Sequence, residues 1–285
     1  MQPQETSDKL LYFHVTQNEY IDMYELCLRS ASLDIKKHRI SVLCITSKEC
    51  AERIEQIHKV HCIPTLAHVM LIDYNGHYMQ RYAGKLNVID YEHLKDYYKV
   101  VYCDTDILFF PAAIEALFGI IKEEGIVYVT PEQMHFKQPW FWHKDVYTEE
   151  ETQQVERSPK NIAINTGVFG WINQGEKSEF IRSQFKQIRE HVYAKYETAT
   201  TDASEQPYIN HRWLLDQNID YTYGQIVTLQ PENFLQQWFQ HASQQENLFV
   251  PPVTLHFTFN EKLPRMNHVM THLLQNLHSQ LVDHA

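Results

Sequence analysis

Along the first half of the chain, short apolar runs alternate with segments whose apolar residues recur at helical spacing. Leu10–Val15 is one such run. Asn18–Ser32 follows with Ile21, Tyr24 and Leu28 on one helical face, and Arg39–Ile45 is a second run. The three predict a strand–helix–strand unit. Ser47 can cap a further helix to about Val60, with Ile54 and Ile57 inward and Glu, Lys and Arg outward. Val69–Asp73 then reads as a strand, Val88–Asp96 as a helix, and Val100–Phe110 as the most strand-like segment of all. Pro111 suits the first turn of a helix to about Glu124 that Gly125 ends, and Ile126–Thr130 is again β-rich.

Such alternation predicts an α/β fold, with a mainly parallel central sheet covered by helices on both faces. Ligands of these sheets bind beyond the carboxyl ends of the strands. Residues 131–160 break the rhythm, being rich first in aromatics (Phe136, Trp140, Phe141, Trp142) and then in Glu and Gln, and read as a flap or acceptor loop. Ile162–Ile172 resumes as a strand, Ser178–Ala194 and Pro207–Gln217 as helices, with short strands around Val227 and over Val253–Thr258. A terminal helix is expected from about Pro264, over residues 264–285. No internal repeat is visible, and 285 residues suit a single domain, 1–285, with room for at most a small second lobe.

Charge narrows the function. A formal net charge of −11 argues against nucleic acid, whose phosphates are held by clustered Lys and Arg. An anionic substrate would need a bound cation and local basic groups to reverse the field. The five cysteines show no paired CxxC spacing, and buried thiols are expected rather than zinc or disulfides. The polar start, with the first strand near Leu10, leaves no room for a signal peptide, and no apolar run is long enough to span a bilayer. A cytoplasmic protein is expected.

The leading motif is Asp104-Thr105-Asp106, directly after the apolar Val100-Val101-Tyr102-Cys103. Carboxylates two apart on an extended chain share a side and can reach one divalent ion at a strand's end. A lone DxD carries little, since most carboxylates are solvated turns, but one that follows a buried strand is not surface decoration. The stretch Tyr98–Leu108 resembles the metal-binding strand of the glycogenin and lipopolysaccharide-galactosyltransferase family, retaining enzymes with a GT-A fold. Further segments match that family in order, from about Leu10 to Pro264.

The resemblance implies the following site. Phe13–Tyr20 is similar to the opening strand and turn that hold uridine, making Val15, Thr16 and Tyr20 nucleotide contacts. Gln80–Leu86 resembles the Arg-bearing helix before the DxD strand, where Arg81 would clamp diphosphate or hold the aspartates. Asn165-Thr166-Gly167 is like the family's Asn-Ser-Gly strand beside the donor sugar, with Thr for Ser. Glu205-Gln206-Pro207 falls where relatives carry Asp-Gln and often a following acid. Asp202 is a spare carboxylate nearby. His256 and, six residues on, Lys262 keep the spacing of a metal-ligating imidazole and a diphosphate-binding lysine, although Phe259 replaces Gly and Leu263-Pro264 replaces Pro-Trp. Asp104, Asp106 and His256 would bind Mn²⁺ or Mg²⁺. Asp104, Thr105, Thr166, Gly167 and Lys262 would contact the nucleotide sugar, and Asn165, Glu205 and Gln206 would surround the reacting sugar.

The function implied is metal-dependent transfer of a hexose from a UDP-sugar to a glycan, lipid or protein acceptor, with retention. Two other readings compete. A hydrophobic strand followed by Asp-Thr-Asp also resembles the nucleophile strand of haloacid-dehalogenase-type phosphatases, and a silent nucleotide-sugar-binding protein could keep the same fold. Trp140, Phe141 and Trp142 suit either stacking on an acceptor sugar or a lid or core cluster.

Overall fold

The computed structural model describes residues 7–73, 83–138, 140–196, 205–229, 235, 253–257 and 261–271. Strands β1 (Lys9–Val15), β2 (Ser41–Thr46), β3 (Ala67–Leu71) and β4 (Lys99–Cys103) pair in parallel in the order β3-β2-β1-β4. Strand β5 (Ile107–Phe109) leaves that sheet. The sheet continues through β7 (Ile162–Ile172), β6 (Val127–His135) and β8 (Ile219–Asp220). Only β7 runs against the rest, antiparallel to both β4 and β6. A second sheet joins β5 to β9 (Val227–Thr228) and β10 (Thr254–His256), in the order β5-β10-β9.

The continuous apolar runs of β1 and β4 follow from burial on both faces. Leu10, Tyr12, Val100 and Tyr102 enter one hydrophobic cluster with Phe169, Trp171, Phe185 and Trp213. Their neighbours Leu11, Phe13, Val15, Val101 and Cys103 enter a second, with Tyr24, Leu28 and Ile54. Helix α1 (Asn18–Lys37) supplies Ile21, Tyr24, Leu28, Ala31 and Ile35 at helical spacing. Helix α2 (Lys48–His61) buries Ile54 and Ile57; Ser47 stands at its N-cap without a side-chain capping bond. The five cysteines are buried and unpaired.

Several expectations are corrected. Val88–Asp96 is not an α-helix but two 3₁₀ segments, Ala83–Asp90 and Leu94–Asp96. Every residue from Ala83 to Val88 is buried, an all-round burial that an amphipathic surface helix lacks. Val100–Phe110 is two strands in two sheets, broken at the Asp104–Asp106 turn. Pro111 lies before, not in, helix α3 (Ala113–Ile120), whose N-cap Ala112 has a left-handed φ of 64°. Segment 131–160 is largely folded onto the body: β6 runs through His135, and helix α4 (Glu149–Arg157) opens with a Thr148/Glu151 capping box. Phe136, Phe141 and Tyr147 join the first cluster.

Helices α5 (Ser178–Tyr196) and α6 (Gln206–Asp216) follow, and α6 has Pro207 in its first turn. Helix α7 spans 262–271, and with α1 and the second sheet it encloses a third cluster of Met23, Leu108, Phe110, Leu255, Phe257 and Met266. Among the described residues no helix is long and apolar enough to cross a membrane.

The feature that positions the site is a fork. β4 ends at Cys103, opposite Val168, while β7 continues back to Ile162 with that edge unpaired by a strand. Side chains and one turn residue close it. The Asp104 N–H donates to the Gly167 carbonyl at 2.8 Å. Ile164 N–H donates to Asn210 Oδ1 at 2.7 Å, and Asn210 Nδ2 donates back to the Ile164 carbonyl at 3.0 Å.

Two outcomes are expected. Asn210→Ala strands two buried backbone groups and should lower unfolding free energy by roughly 2 to 4 kcal/mol in urea denaturation; a loss below about 0.5 kcal/mol would show that the edge is closed without it. His58 is buried and bonded to the Tyr24 hydroxyl at 2.6 Å, and burial, then His68, push its pKa down from 6.5 to about 4. Between those values the unfolded chain holds a proton at this site that the native chain lacks, so stability is intact above about pH 6.5 and declines as pH falls toward 4. His58→Gln should flatten that decline, by up to roughly 1.4 kcal/mol per pH unit, in denaturation curves across the range.

Candidate active site

The turn Asp104–Asp106 lies where the chain passes from the first sheet to the second. Its carboxylates converge because of that turn, not because alternate side chains of one strand share a side. The pairing of β10 with β5 sets His256 opposite Ile107, and the Phe257 N–H donates to the Asp106 carbonyl at 2.9 Å. The imidazole therefore reaches the aspartates from a segment far away in sequence. His256 Nε2 stands 3.2 Å from Asp106 Oδ1 and 3.9 Å from Asp104 Oδ2. Gly167 makes this approach possible: a Cβ there would lie 2.3 Å from His256 Cε1. Lys262, at the start of α7, forms an ion pair with Asp106 Oδ2.

A second cation sits on the other side. Lys85 is almost wholly buried, with Nζ 2.9 Å from Glu205 Oε1 and 3.6 Å from Asp104 Oδ1. It donates to the Thr166 carbonyl at 3.1 Å and lies 4.9 Å over the Tyr102 ring. Tyr102 donates its hydroxyl to Asp104 Oδ1, and the Thr166 hydroxyl donates to Glu205 Oε1 at 3.3 Å.

Burial and charge act against each other here. Burial would raise the Asp106 carboxyl, but His256 and Lys262 hold it below the ordinary carboxylate range. Burial would lower His256, Lys85 and Lys262, but Asp106 holds His256 and Lys262 above their usual values, and Asp104, then Glu205, do so for Lys85. His14 behaves otherwise: burial, then Lys85, push it down to about 3, so its imidazole is neutral at working pH.

Asp104, Asp106 and His256 fit a divalent cation. Their ligand atoms lie within 4.8 Å of one another, the one such group among the described residues. Asp106 Oδ1 is buried and has the His256 imidazole 3.2 Å away. Two carboxylates and an imidazole suit Mn²⁺ or Mg²⁺ better than a soft, thiolate-seeking metal.

The group opens onto a cavity of about 550 Å³ at the carboxyl ends of β1 and β4. Of the residues predicted from sequence, Thr16, Tyr20, Asp104, Thr105, Asp106, Asn165, Glu205, Gln206, His256 and Lys262 line it. Val15 does not: it is buried in the second cluster, and its carbonyl accepts the Thr46 hydroxyl at 2.6 Å. Thr166 and Gly167 stand behind the wall, Thr166 holding Lys85 and Glu205, Gly167 giving His256 its space. The Asn165 side chain is held at both ends: its Nδ2 donates to Glu132 Oε1 on β6 at 2.8 Å, and its Oδ1 accepts the Gly167 N–H at 2.9 Å. Arg81, Asp202 and Phe259 lie outside the described residues.

Seven lining residues are not singled out by the sequence reading: His14, Gln17, Lys85, Tyr102, Glu132, Met134 and Leu229. Lys85 had a signal, as a lone cation inside the apolar stretch from Ala83 to Val88. His14 had none: its place over Gly84, where a Cβ would fall 1.9 Å from its Nε2, shows only in the structure. The aromatic cluster divides. Phe141 is buried, Trp142 donates Nε1 to the Thr152 hydroxyl at 3.3 Å, and Trp140 is 72% exposed at the cavity's edge.

No protein-family model and no curated protein sequence matches the chain. Solved structures do. The galactosyltransferase LgtC, crystallised with donor and acceptor sugar analogs, is 13% identical, with a TM-score of 0.59 over 92% of this chain and 95% of that one. Mouse xyloside xylosyltransferase 1 in its apo form is 11% identical, with a TM-score of 0.53 over 90% and 99%. The glycosyltransferase GlyE of Streptococcus pneumoniae TIGR4 is 15% identical, with a TM-score of 0.55 over 97% and 64%. The chain therefore has the GT-A fold of these glycosyltransferases.

Gly167→Ala should push His256 away from the aspartates and weaken Mn²⁺ binding about tenfold or more in calorimetric titration. Unchanged affinity would remove His256 from the ligand set.

Proposed function

We propose that this chain is a metal-dependent glycosyltransferase that moves a hexose from a nucleotide-diphosphate sugar, a UDP-sugar, to an acceptor hydroxyl with retention. The observation that carries this reading is the convergence of Asp104, Asp106 and His256, with Lys262 beside them, at the carboxyl ends of parallel strands in a GT-A fold. Donor and acceptor sugar analogs bound to LgtC support a shared site for both substrates.

When bound by these three residues, Mn²⁺ or Mg²⁺ supplies neutralising charge to the departing diphosphate. Lys262 adds a mobile cation beside it, since its long side chain can exchange the Asp106 carboxylate for a phosphate oxygen. Thr16 and Tyr20 contact the nucleotide, the ring stacking near the base. Lys85 and Glu205 hold each other across the sugar's end of the cavity, and Asn165 and Gln206 offer amide groups to its hydroxyls. The bond from the anomeric carbon to phosphate oxygen breaks, leaving its electron pair on the diphosphate. The acceptor oxygen bonds to that carbon, and its proton passes to the leaving phosphate on the same face. An amide at Gln206 is a poor nucleophile, which favours this internal return over a covalent intermediate.

A panel of UDP-glucose, UDP-galactose, UDP-xylose and UDP-N-acetylglucosamine, without acceptor, should show slow UDP release that needs Mn²⁺. Release should fall by about a hundredfold or more in Asp106→Ala. Metal-independent release that survives this change would sink the reading. Phosphate release from p-nitrophenyl phosphate would favour the phosphatase, and metal-dependent nucleotide binding without turnover the silent binder.

A further inference from the structure

We propose that Tyr102 is a positioning residue for the metal site: its hydroxyl holds one oxygen of Asp104 so that only the other is offered to a cation, which selects Mn²⁺ or Mg²⁺ over Ca²⁺. The inference rests on the metal-dependent transferase reading and adds to it a residue that acts through Asp104.

The hydroxyl is carried on a rigid support. Tyr102 lies on β4, paired with Tyr12 of β1 on one side and with Phe169 of β7 on the other. Its ring centroid is 5.0 Å from that of Tyr12 and 4.9 Å from that of Phe169, on which it stacks, and the residue is buried. A phenol packed between two strands has little freedom to swing. Its hydroxyl donates to Asp104 Oδ1, just where the chain leaves the sheet. Burial and then the Asp104 carboxylate push the phenol well above its ordinary range, so it remains a donor.

The two aspartates are engaged differently. Asp104 Oδ1 accepts the Tyr102 hydroxyl and has Lys85 Nζ 3.6 Å away, while Oδ2 stands 3.9 Å from His256 Nε2. Asp106 meets His256 with Oδ1, at 3.2 Å, and Lys262 with Oδ2, and has no such restraint from the sheet side. Turning Asp104 to present both oxygens to one ion would break the phenol bond and draw Oδ1 away from Lys85, whose ammonium also stands 4.9 Å over the Tyr102 ring. Ca²⁺ takes roughly six to eight oxygens and readily uses a carboxylate through both, whereas Mg²⁺ is smaller and demands a near-octahedral shell. A site whose first carboxylate is confined to one oxygen favours the smaller ions. Orienting partners of this kind tune a metal site without binding the metal themselves.

Calorimetric titration of the full chain with Mn²⁺ and with Ca²⁺, without donor, tests this. The wild type is expected to bind Mn²⁺ more tightly. Tyr102→Phe keeps the ring and removes the hydroxyl; Mn²⁺ affinity should fall by about tenfold or more while Ca²⁺ affinity is held, so their ratio drops. General loosening of the site would weaken both ions alike and leave the ratio unchanged. Tyr12→Phe is the control: that hydroxyl is buried in the same stack without a hydrogen-bond partner among the described residues, and its loss should alter neither affinity. A crystal structure of the wild type with Mn²⁺ gives a reading that needs no variant, with Asp104 expected on the ion through one oxygen and bonded to Tyr102 through the other. The inference is overturned if the wild type prefers Ca²⁺ or binds neither ion, if Tyr102→Phe keeps the wild-type ratio, if Tyr12→Phe lowers it equally, or if both Asp104 oxygens lie on the metal. Failure of the transferase reading shows instead in the donor panel, as absent UDP release while the ion preference stands.

Discussion

The structure is organised around a charge cluster that no single member could justify alone. Asp106, Lys85, Glu205 and His256 are all buried, and a buried charge is tolerated only when paired and hydrogen-bonded. Here Asp104, Asp106 and Glu205 face Lys85, Lys262 and His256 across a few ångströms. Removing one partner of such a set costs about 3–5 kcal/mol because its counterpart is left uncompensated. The cluster therefore constrains the fold as much as the fold positions the cluster.

The fork between β4 and β7 is what leaves room for it. Two strands that stayed paired to their ends would have filled this space with backbone ladder bonds. Instead β4 turns away at Cys103 into a second sheet, and the edge of β7 that it vacates is taken by Asp104, Lys85 and Asn210. The groups that repair the edge are, in two cases of three, groups that also face the cavity. Closing the sheet and building the site are one event, which explains why polar residues can sit so deep in an aromatic core.

The sequence made parts of this legible and hid others for physical reasons. β1 and β4 stood out because burial on both faces removes polar residues from the run. The DxD pair is visible in the sequence, but a turn between sheets, not strand alternation, brings its carboxylates together. Residues 83–90 misled because a buried 3₁₀ segment has no polar face to set a period. Segment 131–160 misled in the opposite way: its charged half is a capped surface helix, and most of its aromatics are core. Gly167 could be read as a close approach, yet nothing local says that the approaching group is His256, because that contact depends on the register of β10 against β5. Only the resemblance, through the spacing from His256 to Lys262, linked that histidine to the aspartates.

The departures from the family pattern fit their surroundings. Glu205 occupies the N-cap position of α6, where a carboxylate commonly accepts a bond from the helix's own N–H groups, but it makes no such bond. It turns instead to Lys85 and the Thr166 hydroxyl, and the Thr that replaces Ser at 166 supplies both that hydroxyl and the carbonyl for Lys85. Pro207 falls within the first turn of α6, where a missing N–H leaves no helical bond unmade. Residues 166 and 205 thus form one compatible set around a single lysine, and Pro207 starts the helix that carries Glu205 at its N-cap. Differences that look like separate losses in the sequence act together in the structure to keep a cation at the floor of the cavity.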